Sequence, residues 1–435
     1  MTKHTSTKTL HIYLITAILC LLLFGNLILF PTVGIDTESI ILDQKGLLES
    51  WEGMGRIGLV LIKRLLFPFG YHSYLQNGLM LLTLALSLSF LVKKFKLSPL
   101  VFNLAFLALP ITYSQLYFQL QNFEVVLAFF LLILAIYYPT RKNKVSLASI
   151  PITSLVIGFA TSVYQSLLLF AISYTAFCLL HHPERRSSKE WLLSWIPIPL
   201  GALCYKGLNI FFNQTPTSNY LDLHFGNKLS LLTLFMLILL LGLLFYKRPT
   251  DWKRQLNLFL FLTSPFYLLA LTGNLVFRSL FPGLPFVLAY LLHLFYQKKT
   301  YPKTILALTS ALSLLTLGIQ YKEYQRYQSD MSIAQDIARH IPDASYRVQF
   351  IGKKEISAPF PSPYEPMMTS FFSWDPVDNQ IRSDHMLQLV GAKFRPSTQT
   401  ENQAAYKKYN QLPSYPEKDS IQVLDQEKVV LVHFK

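Results

Sequence analysis

Charged residues are scarce in this chain. Asp, Glu, Lys and Arg make up 14% of its 435 residues, where a soluble domain of this size carries about a quarter. With 52% hydrophobic residues and a mean hydropathy of +0.35, that shortfall excludes water as the main solvent. Cysteine is scarce too. Cys20, Cys178 and Cys204 all fall in apolar runs with no CxxC and no metal-ligand spacing, which excludes a disulfide framework and leaves them as packing residues. The sequence also lacks GxGxxG, a Walker motif, a repeat period and any low-complexity tract, so nucleotide-driven transport by this chain alone is not expected.

What the chain has instead is long apolar runs. Hydropathy predicts eleven spans: Leu10–Phe30, Leu75–Leu91, Pro99–Tyr113, Val125–Tyr138, Val145–Ala160, Ser166–Leu180, Leu192–Phe212, Leu229–Phe245, Leu256–Leu271, Leu280–Phe295 and Thr304–Ile319. A crossing needs about 20 apolar residues for a hydrocarbon core roughly 30 Å thick. Lys3 and Lys8 precede the first run as in a signal peptide, but the run is long and no small-x-small site follows, so an uncleaved first span is expected.

The formal net charge of +15 could suggest a nucleic-acid partner. Its distribution argues otherwise. Residues 1–319 hold 25 Lys/Arg against 10 Asp/Glu, while residues 320–435 hold 14 of each, so the whole excess lies beside the spans. Basic residues there follow from the positive-inside rule and from anionic lipid, and no nucleic acid is required. Alternate loops are basic, holding 18 Lys/Arg against 6 in the others (Lys45, Arg56, Lys63, Arg64, Lys228 and Arg278). This predicts the N-terminus inside and the C-terminal part outside. Seven of the ten acids of this part, Asp36, Glu38, Asp43, Glu49, Glu52, Glu124 and Asp222, then lie on the outer side.

The fold expected is a polytopic α-helical membrane domain over residues 1–319, with a long first outer loop over 31–74, and a small extracytoplasmic α/β domain over 320–435. Within the loop, Ile57 to Leu66 has the pattern of an interfacial amphipathic helix ended by Pro68 and Gly70. In the C-terminal part the spacing predicts helices over 331–341 and 383–394, a strand over 346–351, and a hairpin pairing 420–424 with 429–434.

Several residues could carry chemistry. Asp36 and Glu38 follow the first span and point to one side if the backbone is extended. They could hold a divalent cation such as Mg or Mn, or serve as general base and orienting group, or be solvated loop acids. Arg56 and Arg278 could grip a phosphate at headgroup depth, or snorkel. Lys206, inside a predicted span, could face a cavity or reach the surface. Glu124 opens a span after Gln115, Gln119, Gln121 and Asn122, amides suited to sugar hydroxyls or to a polar turn. Tyr164 and Gln165 lie at another outer turn, where the ring serves as a belt residue or a stacking platform. His181-His182 has no carboxylate at ligand spacing and reads as a loop.

The segments Gly34-Ile35-Asp36-Thr37-Glu38, Ser50-Trp51 and Gly55-Arg56-Ile57-Gly58-Leu59, then Tyr164-Gln165-Ser166, Arg278-Ser279 and Leu412-Pro413-Ser414-Tyr415-Pro416, carry a resemblance. The chain resembles the bacterial glucosyltransferase domain family, which includes serotype-converting O-antigen glucosyltransferases and their Gram-positive counterparts. That family is similar to the GT-C class, whose members take a sugar from a polyprenyl-phosphate carrier and pass it to an acceptor outside the cytoplasmic membrane. The resemblance implies a bacterial cell-membrane hexosyltransferase, a cell-surface polysaccharide or teichoic-acid-type acceptor, and other proteins of a glycosylation pathway as partners. It places Asp36 and Glu38 in the catalytic-acid region, with Arg56, Glu124, Tyr164, Gln165, Lys206 and Arg278 as candidate substrate contacts. A lipid-linked-sugar flippase would also need many spans and basic groups at headgroup depth. A polysaccharide polymerase or ligase would place its long catalytic loop late in the chain, whereas the long acidic loop here is first.

Overall fold

The computed structural model describes residues 2–141, 144–182, 187–212, 252–267, 277–298, 302–354, 369–375, 379–409 and 411–434. The expected span Leu229–Phe245, the last four residues of Leu256–Leu271, and Lys142, Arg185, Arg186, Asp222, Lys228, Lys247, Arg248 and Lys299 lie outside them. The chain divides into two units, residues 1–31 with 45–317, and residues 32–44 with 318–435. The long helix Pro302–Arg339 contributes to both.

The first unit is built from apolar helices. In chain order these are α1 (Thr2–Phe24) and α2 (Asn26–Leu29); then, after α3 (Thr37–Leu42) of the other unit, α4 (Gln44–Gly53), α5 (Ile57–Leu66), α6 (Ser73–Phe95), α7 (Pro99–Leu107), α8 (Pro110–Tyr117), α9 (Asn122–Thr140), α10 (Ser149–Val163), α11 (Leu167–His181), α12 (Ser188–Trp195), α13 (Pro197–Phe212), α14 (Trp252–Thr263), α15 (Gly283–Gln297) and the start of α16 (Pro302–Arg339). Among the described residues α6, α9 and α16 are long and apolar enough to cross a membrane, giving three helices, or four if the bent pair α7 and α8 makes one span. Thr9–Phe24, α10, α11 and α15 are apolar but shorter.

Prolines set the breaks that the hydropathy reading smoothed over. The run expected as one span over 99–113 bends by 62° between α7 and α8. Pro110 cannot donate to the ladder, and it holds Leu109 in the extended region at ψ 133°. The carbonyls freed by the bend are taken by threonines: Thr112 donates to Phe106 O at 2.7 Å and Thr316 to Ala108 O at 2.6 Å. Buried carbonyls freed by a bend need such partners wherever water does not reach them. Pro197 likewise divides the run 192–212 into α12 and α13. α10 and α13 then approach closely: a Cβ on Gly158 would lie 2.9 Å from Gly201 O, so only glycine fits.

The second unit holds α3, the C-terminal part of α16, β1 (Arg347–Ile351), α17 (Phe371–Trp374), α18 (Ile381–Leu389), α19 (Gln399–Tyr409), β2 (Ile421–Leu424) and β3 (Val429–His433). The three strands run in the order β1-β3-β2, with β1 parallel to β3 and β2 antiparallel to it. As the centre strand, β3 is apolar on both faces. Strand alternation sends Val348, Phe350, Val430 and Val432 to one face, against Ile333 and Ile337 of α16 and Met386 and Leu387 of α18. Ile351, Val429 and Leu431 pack on the other face with Ala405 of α19.

Residues 32–44 were expected to belong with the rest of the first loop, yet they pack in the second unit. Ile35 explains the placement: it is fully buried in the core that contains Val348 and Phe371. Arg326 of α16 also reaches the Val33 carbonyl at 3.3 Å. The buried Asp330, one turn on, accepts from Arg326, Lys354, Ser370 Oγ and the Phe371 N–H, so its charge is compensated on every side.

Candidate functional site

Two clusters of polar side chains stand out, one in each unit. In the second unit the chain turns at Gly34 to Thr37, where the Thr37 N–H donates to the Gly34 carbonyl at 2.9 Å. Asp36 occupies the left-handed region at φ 73°, a conformation Asp tolerates better than most residues, and α3 begins directly after it. The backbone is not extended here, the condition under which i, i+2 spacing would turn both acids to one side: it has a left-handed residue followed by a helical first turn. The change of fold still brings the two carboxylates together. Arg382 Nη2 pairs with Asp36 and Nη1 with Glu38, and the same Nη1 donates to Ser39 Oγ at 2.9 Å.

α18 presents that arginine by simple periodicity. Arg382 and His385 stand three residues apart, on the face turned to α3, while Met386 and Leu387 turn into the core. His385 Nδ1 lies 3.5 Å from Glu38 Oε1. Burial works against the Arg382 charge, but Glu38 and Asp36 more than offset it and hold its pKa above the ordinary value. The Arg382 N–H also donates to Asp375 at 2.5 Å. Burial pushes the Asp375 carboxyl up, opposed by that hydrogen bond and by the guanidinium charge.

The two acids are not equivalent. Asp36 keeps 34% of its side chain exposed, whereas Glu38 is 0% exposed. Glu38 Oε2 and its neighbour Thr37 Oγ1 are buried and find no hydrogen-bond partner among the described residues. A buried carboxylate oxygen without a partner costs about 1–3 kcal/mol or more, so it marks a place where another group is expected to bind.

In the first unit the cluster centres on the turn between α8 and α9. Gln115, Gln119, Gln121, Asn122 and Glu124 are all buried. Glu124 forms an ion pair with Lys63 of α5 at 2.8 Å, and Lys63 donates to Gln76 at 2.7 Å. Gln76 in turn donates to Gln119 O, and Asn122 links to Asn77 at 2.8 Å. The Gln115 amide and Gln121 Nε2 find no hydrogen-bond partner among the described residues.

Lys63 overturns the expected amphipathic pattern of α5. The lysine faces inward, 1% exposed, while Leu61, Leu65 and Leu66 face outward. An apolar surrounding would favour that arrangement, since it accepts leucine and leaves a cation to seek an internal partner. Gly58 lets α5 approach: a Cβ there would lie 2.4 Å from Ser162 Oγ, which instead accepts the Gly58 N–H at 3.1 Å.

Arg56 and Arg278, expected as phosphate grips, are brought to the same turn. Arg56 Nη1 donates to Gln121 Oε1 at 3.1 Å, and the Arg278 guanidinium stacks on Phe118 at 4.3 Å from the ring centre. Glu124 stands in the same cluster through Lys63. Tyr164 is buried at the end of α10, and Gln165 Nε2 reaches Tyr205 OH at 3.4 Å. Lys206 lies on the exposed face of α13.

Sequence reasoning missed Arg382, His385 and the inward turn of Lys63. Arg382 pairs with a residue 344 positions away, and no local signal announces such a pairing. A lysine in the middle of the Ile57 to Leu66 apolar run was visible, and so was a glutamate opening a span; their match was the available clue.

Among the described residues no group of three or more His, Cys, Asp or Glu is set to hold a metal ion. A guanidinium lies on both Asp36 and Glu38, so the residues as arranged do not fit a divalent ion between them. No protein-family model, curated protein or solved structure matches the chain.

Proposed function

We propose that the chain is a membrane glycosyltransferase of the GT-C type, transferring a hexose or N-acetylhexosamine from a polyprenyl-phosphate carrier to a cell-surface polysaccharide or teichoic-acid-type acceptor, at the outer face of the bacterial cytoplasmic membrane. The observation that carries the reading is Glu38, a fully buried carboxylate held by Arg382 through one oxygen while the other has no partner among the described residues. Such an oxygen is suited to accept the proton of an acceptor hydroxyl.

Each unit, taken by itself, offers groups of a kind that this reaction uses. In the first, Arg56 and Arg278 supply guanidinium groups at one turn, suited to a phosphate monoanion or dianion. The unpartnered Gln115 and Gln121 amides are suited to sugar hydroxyls. In the second, Asp36 and Glu38 supply the base, with Arg382 and His385 as positioning residues. The acceptor oxygen bonds to the anomeric carbon as the bond from that carbon to the phosphate oxygen breaks. The proton passes to the carboxylate, and the polyprenyl phosphate leaves with inverted configuration at the sugar. No metal enters this scheme.

A lipid-linked-sugar transporter is the second reading, favoured by the ionic pair Lys63–Glu124 buried among helices. The two separate on the carboxylates. Glu38→Gln and Asp36→Asn, each expressed at wild-type level in cells deleted for the gene, should be compared for side-chain sugar on the envelope polysaccharide. Loss of a general base is expected to lower transfer about 10²–10⁴-fold in at least one of them. Full sugar content in both sinks the assignment.

A further inference from the structure

A groove of about 560 Å³ lies wholly within the second unit and belongs to neither cluster described above. Its apolar base is Ile333 of α16 and Phe434 after β3, both buried. One wall is the tail segment Ser414-Tyr415-Pro416, which the resemblance singles out and the proposed reaction leaves unused. Polar groups along the rim come from Ser329, Ser332, Lys354 and Glu417.

The groove is held in shape by contacts that do not depend on a ligand. The Tyr415 hydroxyl donates to Asp336 at 3.0 Å and its ring packs against Phe434 at 5.9 Å between centres. Lys354 Nζ is fixed by Ser329 Oγ at 3.0 Å and Asp330 at 2.8 Å. An ammonium group has three N–H donors, and among the described residues two of them are taken. Glu417 is exposed on the rim. The rim thus offers one cation, one anion and serine hydroxyls beside a tyrosine and a proline face.

That set of groups fits a neutral, hydroxyl-rich chain. Sugar hydroxyls donate to a carboxylate and accept from an ammonium, and the apolar face of a pyranose ring packs on an aromatic wall. The volume is within the range of about 300–1,000 Å³ usual for small-ligand sites. An anionic peptide or lipid headgroup would meet Glu417 and gain only one cation. We infer that the groove binds an uncharged segment of a polysaccharide acceptor, apart from the sugar that receives the transfer; naming the glycan as acceptor rests on the reaction proposed above, and of its two acceptor types the groove fits the neutral polysaccharide and not the polyanionic one.

The test measures binding without transfer. The probe is short fragments of envelope polysaccharide from the producing cells, titrated onto the detergent-purified full chain with no sugar donor present. The wild type should bind. Ser332→Trp, which fills the groove from an exposed helix position, and Glu417→Ala should each weaken binding about tenfold or more, and Tyr415→Phe, which keeps the ring, should bind within about threefold. Glu38→Gln should bind as the wild type does. If the wild type does not bind, if Ser332→Trp binds as tightly as the wild type, or if a wall peptide binds in place of the glycan, the groove assignment is wrong. Loss of transfer in Ser332→Trp with donor KM unchanged supports it further. Because binding is read without donor, a failed reaction assignment leaves this result standing, and the reverse also holds.

Discussion

Two buried carboxylates of one unit show how local partners decide chemistry. Glu38 has a guanidinium, and Asp384, on the same helix as that guanidinium, has the Gln380 amide at 2.9 Å as its side-chain partner among the described residues. Burial pushes the Asp384 carboxyl up to about 7, the Gln380 hydrogen bond opposes the shift, and the nearby Asp375 charge adds to it. Unfolded, the group returns to its ordinary value of 3.8. The folded state then holds this proton more tightly, so the stability it brings is fully present below about pH 4 and is lost as pH rises through about 7. At about 1.4 kcal/mol per unit, the loss amounts to a few kcal/mol. Asp384→Asn should therefore flatten the pH dependence between about pH 4 and 7, read as hydrogen-exchange protection of residues 381–389 after correction for intrinsic exchange. An unchanged slope in the variant contradicts the buried, protonated carboxyl.

At the scale of the element, α5 and α9 are joined by an ion pair rather than by apolar contact alone. Lys63 and Glu124 are both almost fully buried and lie 2.8 Å apart. Removing one partner leaves the other as an uncompensated buried charge, which costs about 3–5 kcal/mol. Lys63→Met and Glu124→Gln should each lower the denaturation midpoint in detergent, and the double variant should be much closer to the wild type than the sum of the two. Additive losses would show that the pair is not coupled.

Elements differ in how far they can be read from sequence, and the physical reasons are specific. The hairpin of β2 and β3 is legible because apolar residues alternate on either side of a polar Asp425 to Lys428 turn. The end of α5 is legible because Pro68 and Gly70 follow it. α19 was not, since its polar sequence shows no apolar stripe and only Asn402 and Ala405 are buried. Averaged hydropathy hid the breaks at Pro110 and Pro197, although each proline was in plain view. The candidate site was half legible: Asp36 and Glu38 were visible as a pair of acids, while the arginine that joins them comes from α18, far along the chain.

For the molecule as a whole, charge distribution and burial agree on a division into two units. The excess of basic residues lies beside apolar helices, and the neutral C-terminal part forms a unit with its own sheet and core. That unit takes residues 32–44 into its core through Ile35, so the acidic segment is carried by a folded scaffold rather than by a free loop. A carboxylate pair anchored in this way keeps its geometry, which positioned proton transfer requires.

The central claim is that this chain forms a glycosidic bond. It is tested by reconstituting the purified protein into liposomes with a radiolabelled polyprenyl-phosphate sugar and acceptor polysaccharide on the same side, then separating lipid-linked from polymer-linked label. The wild type should move label into the polymer, with Glu38→Gln slower by about 10²-fold or more. Label that crosses the bilayer and remains on the lipid, with none in the polymer, would contradict the glycosyltransferase reading and make the chain a transporter.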